Sequence, residues 1–260
     1  MNLQLNGKVI IVSGGVQGIG RSVSRELVRE HAIPVIIDRS APAGISLEKE
    51  FVDDGRDGLF IHATLEDERI SRKIIDQTIM KFGRVDGIVN NAGMNDGVGL
   101  QNGTLSAFRS SVLANLSYYY DLVHFSVEQF IKNKGSIVNI SSKIAVTDQG
   151  GTSGYTAIKG AQLVLTREWA VELASYEIRV NAIFPVEVMT PQYKKWISNF
   201  NDPTQEFDRI ISKIPLEKRM TTSTEIAVMG MFLLSSKSSH ITGQWQHIDG
   251  GYVHLDRSIS

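Results

Sequence analysis

Tyr155 and Lys159 stand four residues apart in the stretch 150–159, GGTSGYTAIK. Four residues make about one helical turn, so on a helix the phenol and the ammonium project from one face. An ammonium beside a phenol favours the phenolate and lowers the tyrosine pKa from its usual value of ~10. A tyrosine tuned that way exchanges a proton with an alcohol near neutral pH. The spacing is weak on its own, because the chain holds seven tyrosines. A half-buried tyrosine beside a solvated lysine would give the same string, so other stretches must supply the context.

The first such stretch lies near the start. Val9 to Val12 is a β-branched run that stops at glycine, as a strand buried on both faces would. It leads into Ser13-Gly14-Gly15-Val16-Gln17-Gly18-Ile19-Gly20 and then a helical pattern through Val23, Leu27 and Val28. Strand, glycine turn and helix in that order make a phosphate site: glycines let the backbone approach a pyrophosphate, and the helix start offers free N–H groups and a positive dipole end. A β-to-α turn without a ligand shares the pattern. A second apolar run, 34–37, ends at Asp38, 18 residues beyond Gly20. An acid there hydrogen-bonds an adenosine ribose 2′-hydroxyl and repels a 2′-phosphate, which favours NAD over NADP. Arg39 pulls the other way, since a guanidinium can pair with a 2′-phosphate, while the uncharged Gln17 leans back towards NAD. As a purely structural residue Asp38 would be a helix cap or turn former.

Composition bounds the rest. The chain has 260 residues, 42% apolar and 21% charged, an ordinary balance for a globular protein. A net charge of −1 gives no reason to expect nucleic acid or an anionic membrane as a partner. The absence of cysteine excludes disulfides, thiolate metal sites and cysteine nucleophiles. Six histidines are scattered without ligand spacing, so no required metal is expected. The opening, MNLQLNGKVIIVSGG, reads as a buried strand and not a signal peptide. No apolar run is long enough to span a bilayer. The expected compartment is cytoplasmic, which makes the Asn-x-Ser/Thr triplets at Asn102, Asn115 and Asn139 chance matches.

The elements that must position these groups follow in order. Residues 44–56 read as a charged surface helix, 59–61 as a third strand, and 68–82 as an amphipathic helix. Residues 86–89 form a fourth strand ending in Asn90-Asn91-Ala92-Gly93, and 105–131 a helical region that includes Asn115. Residues 135–140 are a fifth strand closed by Ser141-Ser142, and 154–175 a long helix carrying Tyr155 and Lys159. Residues 178–183 and 245–248 complete the strands. Alternation of this kind predicts an α/β fold, a Rossmann-type doubly wound sheet of about seven parallel strands with helices on both faces. No repeat or linker divides the chain, so 1–260 is read as a single domain. The excursion at 186–222, broken by Pro191, Pro203 and Pro215, reads as a lid or substrate-binding segment.

With these motifs in hand, the chain resembles the short-chain dehydrogenase/reductases from end to end. Ser13-Gly14-x-x-x-Gly18-x-Gly20 is similar to that family's Thr-Gly-x-x-x-Gly-x-Gly, with serine for threonine. Asn91-Ala92-Gly93 matches its Asn-Ala-Gly motif, Asn115 its helix asparagine, and Ser142 stands 13 residues before Tyr155, the usual separation. Three departures avoid the catalytic groups. Thr64 replaces a frequent aspartate at the adenine, so that contact is weaker or is made by the Leu65 backbone. Val186 replaces a glycine after Pro185, and Ile158 a serine before Lys159. Within the family the chain is similar to bacterial L-fucose dehydrogenases and related sugar dehydrogenases, through NNAGMNDG (90–97), SSKIAVTDQGGTSG (141–154), TREWAVE (166–172), PVEVMTPQY (185–193) and GGYVHLDR (250–257).

The resemblance implies roles. Tyr155 takes the hydroxyl proton while hydride leaves the same carbon for a nicotinamide; Lys159 lowers the Tyr155 pKa and bonds the nicotinamide ribose; Ser142 holds the substrate oxygen; Asn115, through a helix irregularity and a water, links Lys159 to solvent. Ser13, Gly14, Gln17, Gly18, Ile19, Gly20, Asp38, Arg39, Leu65, Asn91, Ala92, Gly93, Val188 and Thr190 would hold the dinucleotide, NAD with NADP as the alternative. Around the reacting groups, Asn95, Lys143, Gln149, Glu187, Tyr193 and Trp196 supply hydrogen-bonding groups and aromatic faces suited to a sugar or polyol and poorly suited to a steroid or a long acyl chain. Glu187 can accept from two adjacent hydroxyls, or be a salt-bridged or capping glutamate; Trp196 can be plain lid packing. For an aldose the oxidised carbon is C1 and the product a lactone that opens to the aldonic acid. Two other readings stand beside this one: a 3-oxoacyl-[acyl-carrier-protein] reductase, and a catalytically silent dinucleotide-binding sensor. The helices at 105–131 and 154–175 carry more apolar surface than one sheet face covers. In the family the equivalent pair forms a four-helix subunit interface, which predicts a homotetramer or homodimer, and the GYVHLDR tail would approach a neighbouring subunit's site.

Overall fold

The computed structural model describes residues 2–147 and 149–255. Its strands, β1 (Val9–Ser13), β2 (Ile33–Asp38), β3 (Leu59–His62), β4 (Gly87–Asn90), β5 (Ser136–Ile140), β6 (Arg179–Pro185) and β7 (Trp245–Ile248), form one parallel sheet in the order β3-β2-β1-β4-β5-β6-β7. The chain turns outward from β1 towards β2 and β3, then returns to the other side of β1 to lay down β4. The crevice for a ligand therefore opens at the carboxyl ends of β1 and β4, where the winding reverses.

Successive strand residues point to opposite faces, and β1 shows this directly. Val9 and Ile11 pack into one core with residues of α5 (Tyr118–Asn133) and α6 (Ser153–Glu172), including Tyr119, Leu122, Phe130 and Trp169. Ile10 and Val12 pack into the other with Val23 and Leu27 of α1 (Gly18–Arg29) and Ile226, Ala227 and Met231 of α9 (Ser223–Leu234). Burying each of these side chains stabilises the fold by ~1.5–3 kcal/mol before chain entropy is counted. Helices α2 (Ala41–Asp53) and α3 (Glu68–Phe82) flank the β2–β3 edge. The seven-stranded doubly wound arrangement is the one the alternation predicts.

Three local differences have physical causes. The helix read at 44–56 begins earlier, at Ala41, because Pro42 sits in its first turn, where a missing N–H costs nothing. The helical region 105–131 is not continuous: α4 (Leu105–Val112) runs through a π-turn at Leu113–Ser117 into α5, and Asn115 lies in that turn. The excursion 186–222 holds two short helices, α7 (Pro191–Ile197) and α8 (Pro203–Ile211), so Pro191 and Pro203 start helices instead of interrupting a loop. Helix α9 is apolar on nearly every side, with no amphipathic period to read. It is packed between α1 and the sheet and is opened by a capping box of Thr222 and Glu225.

Candidate active site

The glycine turn after β1 is built for close backbone approach. Gly14 (φ +66) and Gly18 (φ +53) occupy the left-handed region. A Cβ on Gly20 would stand 2.1 Å from the Gly14 carbonyl oxygen. Gln17, the cap residue of α1, is exposed and makes no side-chain cap, so the first N–H groups of this 12-residue helix have no side chain on them. Ser13 ties β1 to β4: its Oγ accepts from the N–H of Asn91 (2.9 Å) and of Ala92 (3.1 Å). The Asn91 amide donates back to the carbonyls of Ser13 (3.1 Å) and Gly14 (3.0 Å). The Tyr118 hydroxyl donates to the Ala92 carbonyl, and burial raises its pKa far enough to keep the proton in place.

The segment after β6 lies against the same turn. A Cβ on Gly18 would come within 3.2 Å of the Thr190 methyl. Val188 pairs with Thr221, its carbonyl accepts from Thr190 N–H (2.7 Å), and Thr190 caps α7 by accepting from Tyr193 N–H (3.2 Å). Ile19 is half-buried on the α1–α9 core, and Leu65 packs on the opposite one. Asp38 ends β2 and accepts from Ser40 N–H (3.0 Å); Arg39 is exposed and joins no ion pair among the described residues. A cradle that a Cβ would fill, an uncapped helix start and a carboxylate at the end of β2 fit a dinucleotide.

The catalytic candidates sit on β5 and α6. Ser142 follows β5, with its Oγ accepting a long hydrogen bond from Ile144 N–H (3.4 Å). Lys159 is buried; its ammonium donates to the Ile140 carbonyl (2.8 Å) and to Gln162 Oε1 (3.0 Å), and lies 5.5 Å from the Tyr155 ring centroid. Gly93 stands between the two halves: a Cβ there would lie 3.7 Å from Asn115 Oδ1 and 3.8 Å from Lys159 Nζ. Asn115 itself accepts from Met94 N–H (2.8 Å) and donates to the Ser111 carbonyl (2.9 Å).

One expectation is corrected. Lys159 does not lower the Tyr155 pKa in the protein alone. Burial pushes the phenol up to about 12 and the ammonium down to about 7. Desolvation is the cause of both shifts, and no bond from the ammonium to the phenol offsets it, since the ammonium donates to a carbonyl and an amide oxygen. Tyr155 is partly open to solvent, which tempers the push on its side; Lys159 is 3% exposed, so its shift is the firmer of the two.

Beside Ser142, four segments converge. Lys143 and Glu187 form an ion pair with side chains only 17% and 10% exposed. The Lys143 ammonium also lies 4.5 Å from the centroid of the Tyr252 ring. The Tyr193 hydroxyl is enclosed, and burial, then the neighbouring Glu187 carboxylate, raise its pKa. The hydroxyl stands close to that carboxylate but not in good hydrogen-bonding geometry, so the contact is a weak one. Trp196 packs edge-to-face on Tyr193 (5.1 Å) and Phe200 (4.9 Å), the plain lid-packing alternative. Asn95 accepts from Gly97 N–H (3.1 Å), a local turn, and Gln149 is exposed; neither joins the cluster among the described residues. Tyr252 places the start of the tail over this chain's own Lys143, while Asp256 and Arg257 of GGYVHLDR lie outside the described residues.

Sequence reasoning missed the support behind Lys159. Asn90 and Asn139 face each other in register on β4 and β5. Asn90 donates to Asn139 (3.1 Å), which donates to Thr166 (2.9 Å), which donates to the Gln162 carbonyl (2.8 Å). Ser141 adds a bond to the Lys159 carbonyl (3.0 Å). The available signal was an asparagine inside each of two apolar strands, and Gln162 one turn beyond Lys159. Among the described residues no group of three or more His, Asp or Glu could hold a metal ion, and no helix is long and apolar enough to cross a membrane.

Comparison with known proteins agrees with this geometry. A family profile described as enoyl-(acyl carrier protein) reductase matches residues 14–253. The chain is 32% identical over 253 residues to the 3-oxoacyl-[acyl-carrier-protein] reductase of Thermotoga maritima, covering 96% of this chain and 100% of that protein. It is equally, 32%, identical over 252 residues to the L-fucose dehydrogenase of Bos taurus, covering 96% and 91%. Among solved structures, that of Cj0485 dehydrogenase superposes with a TM-score of 0.93 at 40% identity, covering 99% of this chain and 98% of that one.

Proposed function

The chain belongs to the short-chain dehydrogenase/reductase family and is an oxidoreductase, and on that premise we propose that it oxidises a hydroxyl of a sugar, an L-fucose-like aldose at C1, with NAD preferred to NADP. When bound, the nicotinamide dinucleotide supplies the hydride acceptor. The glycine turn, the free N–H groups of α1, Asp38, the 91–93 segment and the stretch Val188–Thr190 would hold it.

The chain's own residues handle the proton. Tyr155 exchanges it with the substrate hydroxyl, and Ser142 donates to the same oxygen and fixes its position. Lys159, at about 7, is divided between ammonium and amine near neutral pH. Its proton would pass to solvent through a bound water held near Asn115, whose side chain and the Lys159 ammonium both approach within 4 Å of one point at Gly93; the amide orients that water and does not itself carry the proton. Tyr118, a second and buried phenol near this site, does not compete, because its hydroxyl is locked on the Ala92 carbonyl.

The observation that carries the substrate class is the polar lining next to Ser142, the Lys143–Glu187 pair with the enclosed Tyr193 hydroxyl. An acyl chain or steroid would take water from this polar lining and offer no hydrogen bonds to its remaining donors and acceptors, which is costly. A second reading, reduction of a 3-oxoacyl thioester, has a relative at the same identity in its favour. Exposed apolar residues on α4 and α6 support self-association through those helices, and a cytoplasmic location belongs to the same reading.

The test is NADH formation with a panel of aldoses, with Tyr155→Phe as control. Turnover on at least one aldose, lost in the variant, is expected. No turnover on any sugar combined with NADPH-dependent reduction of a 3-oxoacyl thioester would overturn the reading in favour of the second. NAD binding without turnover of any alcohol would leave a sensor.

A further inference from the structure

We infer that Lys143 and Glu187 act as one neutral unit that reads adjacent hydroxyls and rejects acidic sugars, with the Tyr193 hydroxyl as a third contact; this rests on the sugar reading above. Glu187 is buried and Lys143 half-buried, and they come from the loops that follow β6 and β5, two residues beyond Pro185 and directly after Ser142. Such a pair is an inefficient way to stabilise a fold, since two charges must be desolvated for an attraction that apolar packing could match. It is suited to recognition. The ion pair engages Glu187 Oε1, leaving Oε2 to accept from substrate hydroxyls, and the ammonium keeps further N–H donors. The Tyr193 hydroxyl is closed in beside the carboxylate in poor hydrogen-bonding geometry, so a substrate hydroxyl brought between them would make better bonds to both.

The charge arithmetic adds a selectivity. Plus one and minus one cancel, so the site offers no net attraction to a substrate carboxylate, and Glu187 opposes one directly. Removing the negative member while keeping its shape leaves the Lys143 cation unpaired. Glu187→Gln should then weaken the neutral sugar and improve a uronate of the same configuration.

Kinetics of the full-length protein with NAD test this, using the preferred aldose as substrate and the corresponding uronate as competitor. In Glu187→Gln, KM for the aldose should rise and the uronate inhibition constant should fall, each by about tenfold. In Tyr193→Phe, KM should rise with kcat nearly unchanged and the melting temperature moved little, because the hydroxyl removed makes only a poorly aligned contact with Glu187. A merely structural pair would lower the melting temperature in Glu187→Gln and weaken sugar and uronate in parallel. That result, or an unmoved ratio of the two, overturns the inference while aldose turnover by the wild type keeps the proposed function. A wild type that turns over no sugar fails at the earlier step instead.

Discussion

Gln162 Oε1 accepts a 3.0 Å hydrogen bond from the Lys159 ammonium, one turn along the same helix. An acceptor for the charged form holds a lysine pKa up against burial. Gln162→Leu should therefore push Lys159 below its present value of about 7, and Gln162→Glu should raise it. The limb of the kcat/KM profile governed by Lys159 should move in opposite directions in the two variants. A limb that stays put in both would remove Lys159 from the proton transfer.

Lys159 also predicts how stability depends on pH. Its folded pKa of about 7 lies below the ordinary 10.5, so between these values the unfolded chain binds a proton that the folded one lacks. Stability then rises with pH across that window and carries the full penalty below it. Tyr155, raised to about 12 from 10.0, works the other way at higher pH, where the folded state keeps the proton longer and stability falls between those values. Melting temperatures of wild type and Lys159→Met, measured from pH 7 to pH 10, should converge as pH rises, with the variant the more stable at pH 7. Parallel curves would show that the buried amine carries no such penalty.

The glycine turn gives a prediction that is separate from charge. At Gly20 a methyl would meet the Gly14 carbonyl oxygen at 2.1 Å and the Asn91 amide at 2.6 Å, both parts of the link between β1 and β4. Overpacking of this kind costs about 1–3 kcal/mol. Gly20→Ala should lower the melting temperature by several degrees and weaken NAD binding by calorimetry. Retention of both would show that the turn has room that its backbone denies.

How much of this was legible in the sequence follows from range. The Gly14–Gly20 turn and strands β1, β2 and β4 declare themselves through local pattern, apolar β-branched runs closed by glycine, aspartate or asparagine, and the other strands read as short apolar runs between helices. Helix α9 does not, since a helix buried on most sides has no amphipathic period. Lys143 and Glu187 were named as separate contacts because their pairing spans 44 residues and only the sheet brings the loops after β5 and β6 together. The Tyr155–Lys159 spacing correctly placed both on one helix. It could not show how deeply both groups are buried, and the direction of the phenol's shift follows from that burial.

Cofactor choice rests on two neighbours with opposite charges. Asp38 is held at the end of β2 by Ser40, whereas Arg39 is exposed and unpaired among the described residues. A positioned carboxylate discriminates better than a guanidinium free to swing away, so NAD should bind tighter than NADP. Asp38→Ala should shift the ratio of the two affinities towards NADP by about tenfold or more, of the size expected when a buried-edge charge contact is lost. Equal affinities in the wild type by titration calorimetry would mean that Arg39 already outweighs Asp38.

The outer face of α6 bears on assembly. Val164 and Val171 are 66% and 79% exposed and two helical turns apart, so they share a face; Leu105 and Leu113, 79% and 59% exposed, lie on α4 and the π-turn that follows it. Scattered exposed apolar residues need no explanation, but two on one stripe of the helix that carries the catalytic pair invite a second subunit. A charge introduced there separates the two cases. In a monomer Val164→Glu sits in water and should change stability by no more than about 0.5 kcal/mol. In an α4–α6 interface it would bury an unpaired carboxylate, so the sedimentation coefficient should fall towards that of one 28.7 kDa chain. Because Tyr155 and Lys159 sit on the same helix, activity at low protein concentration should fall with it. An oligomer that survives the substitution would assign assembly to another face.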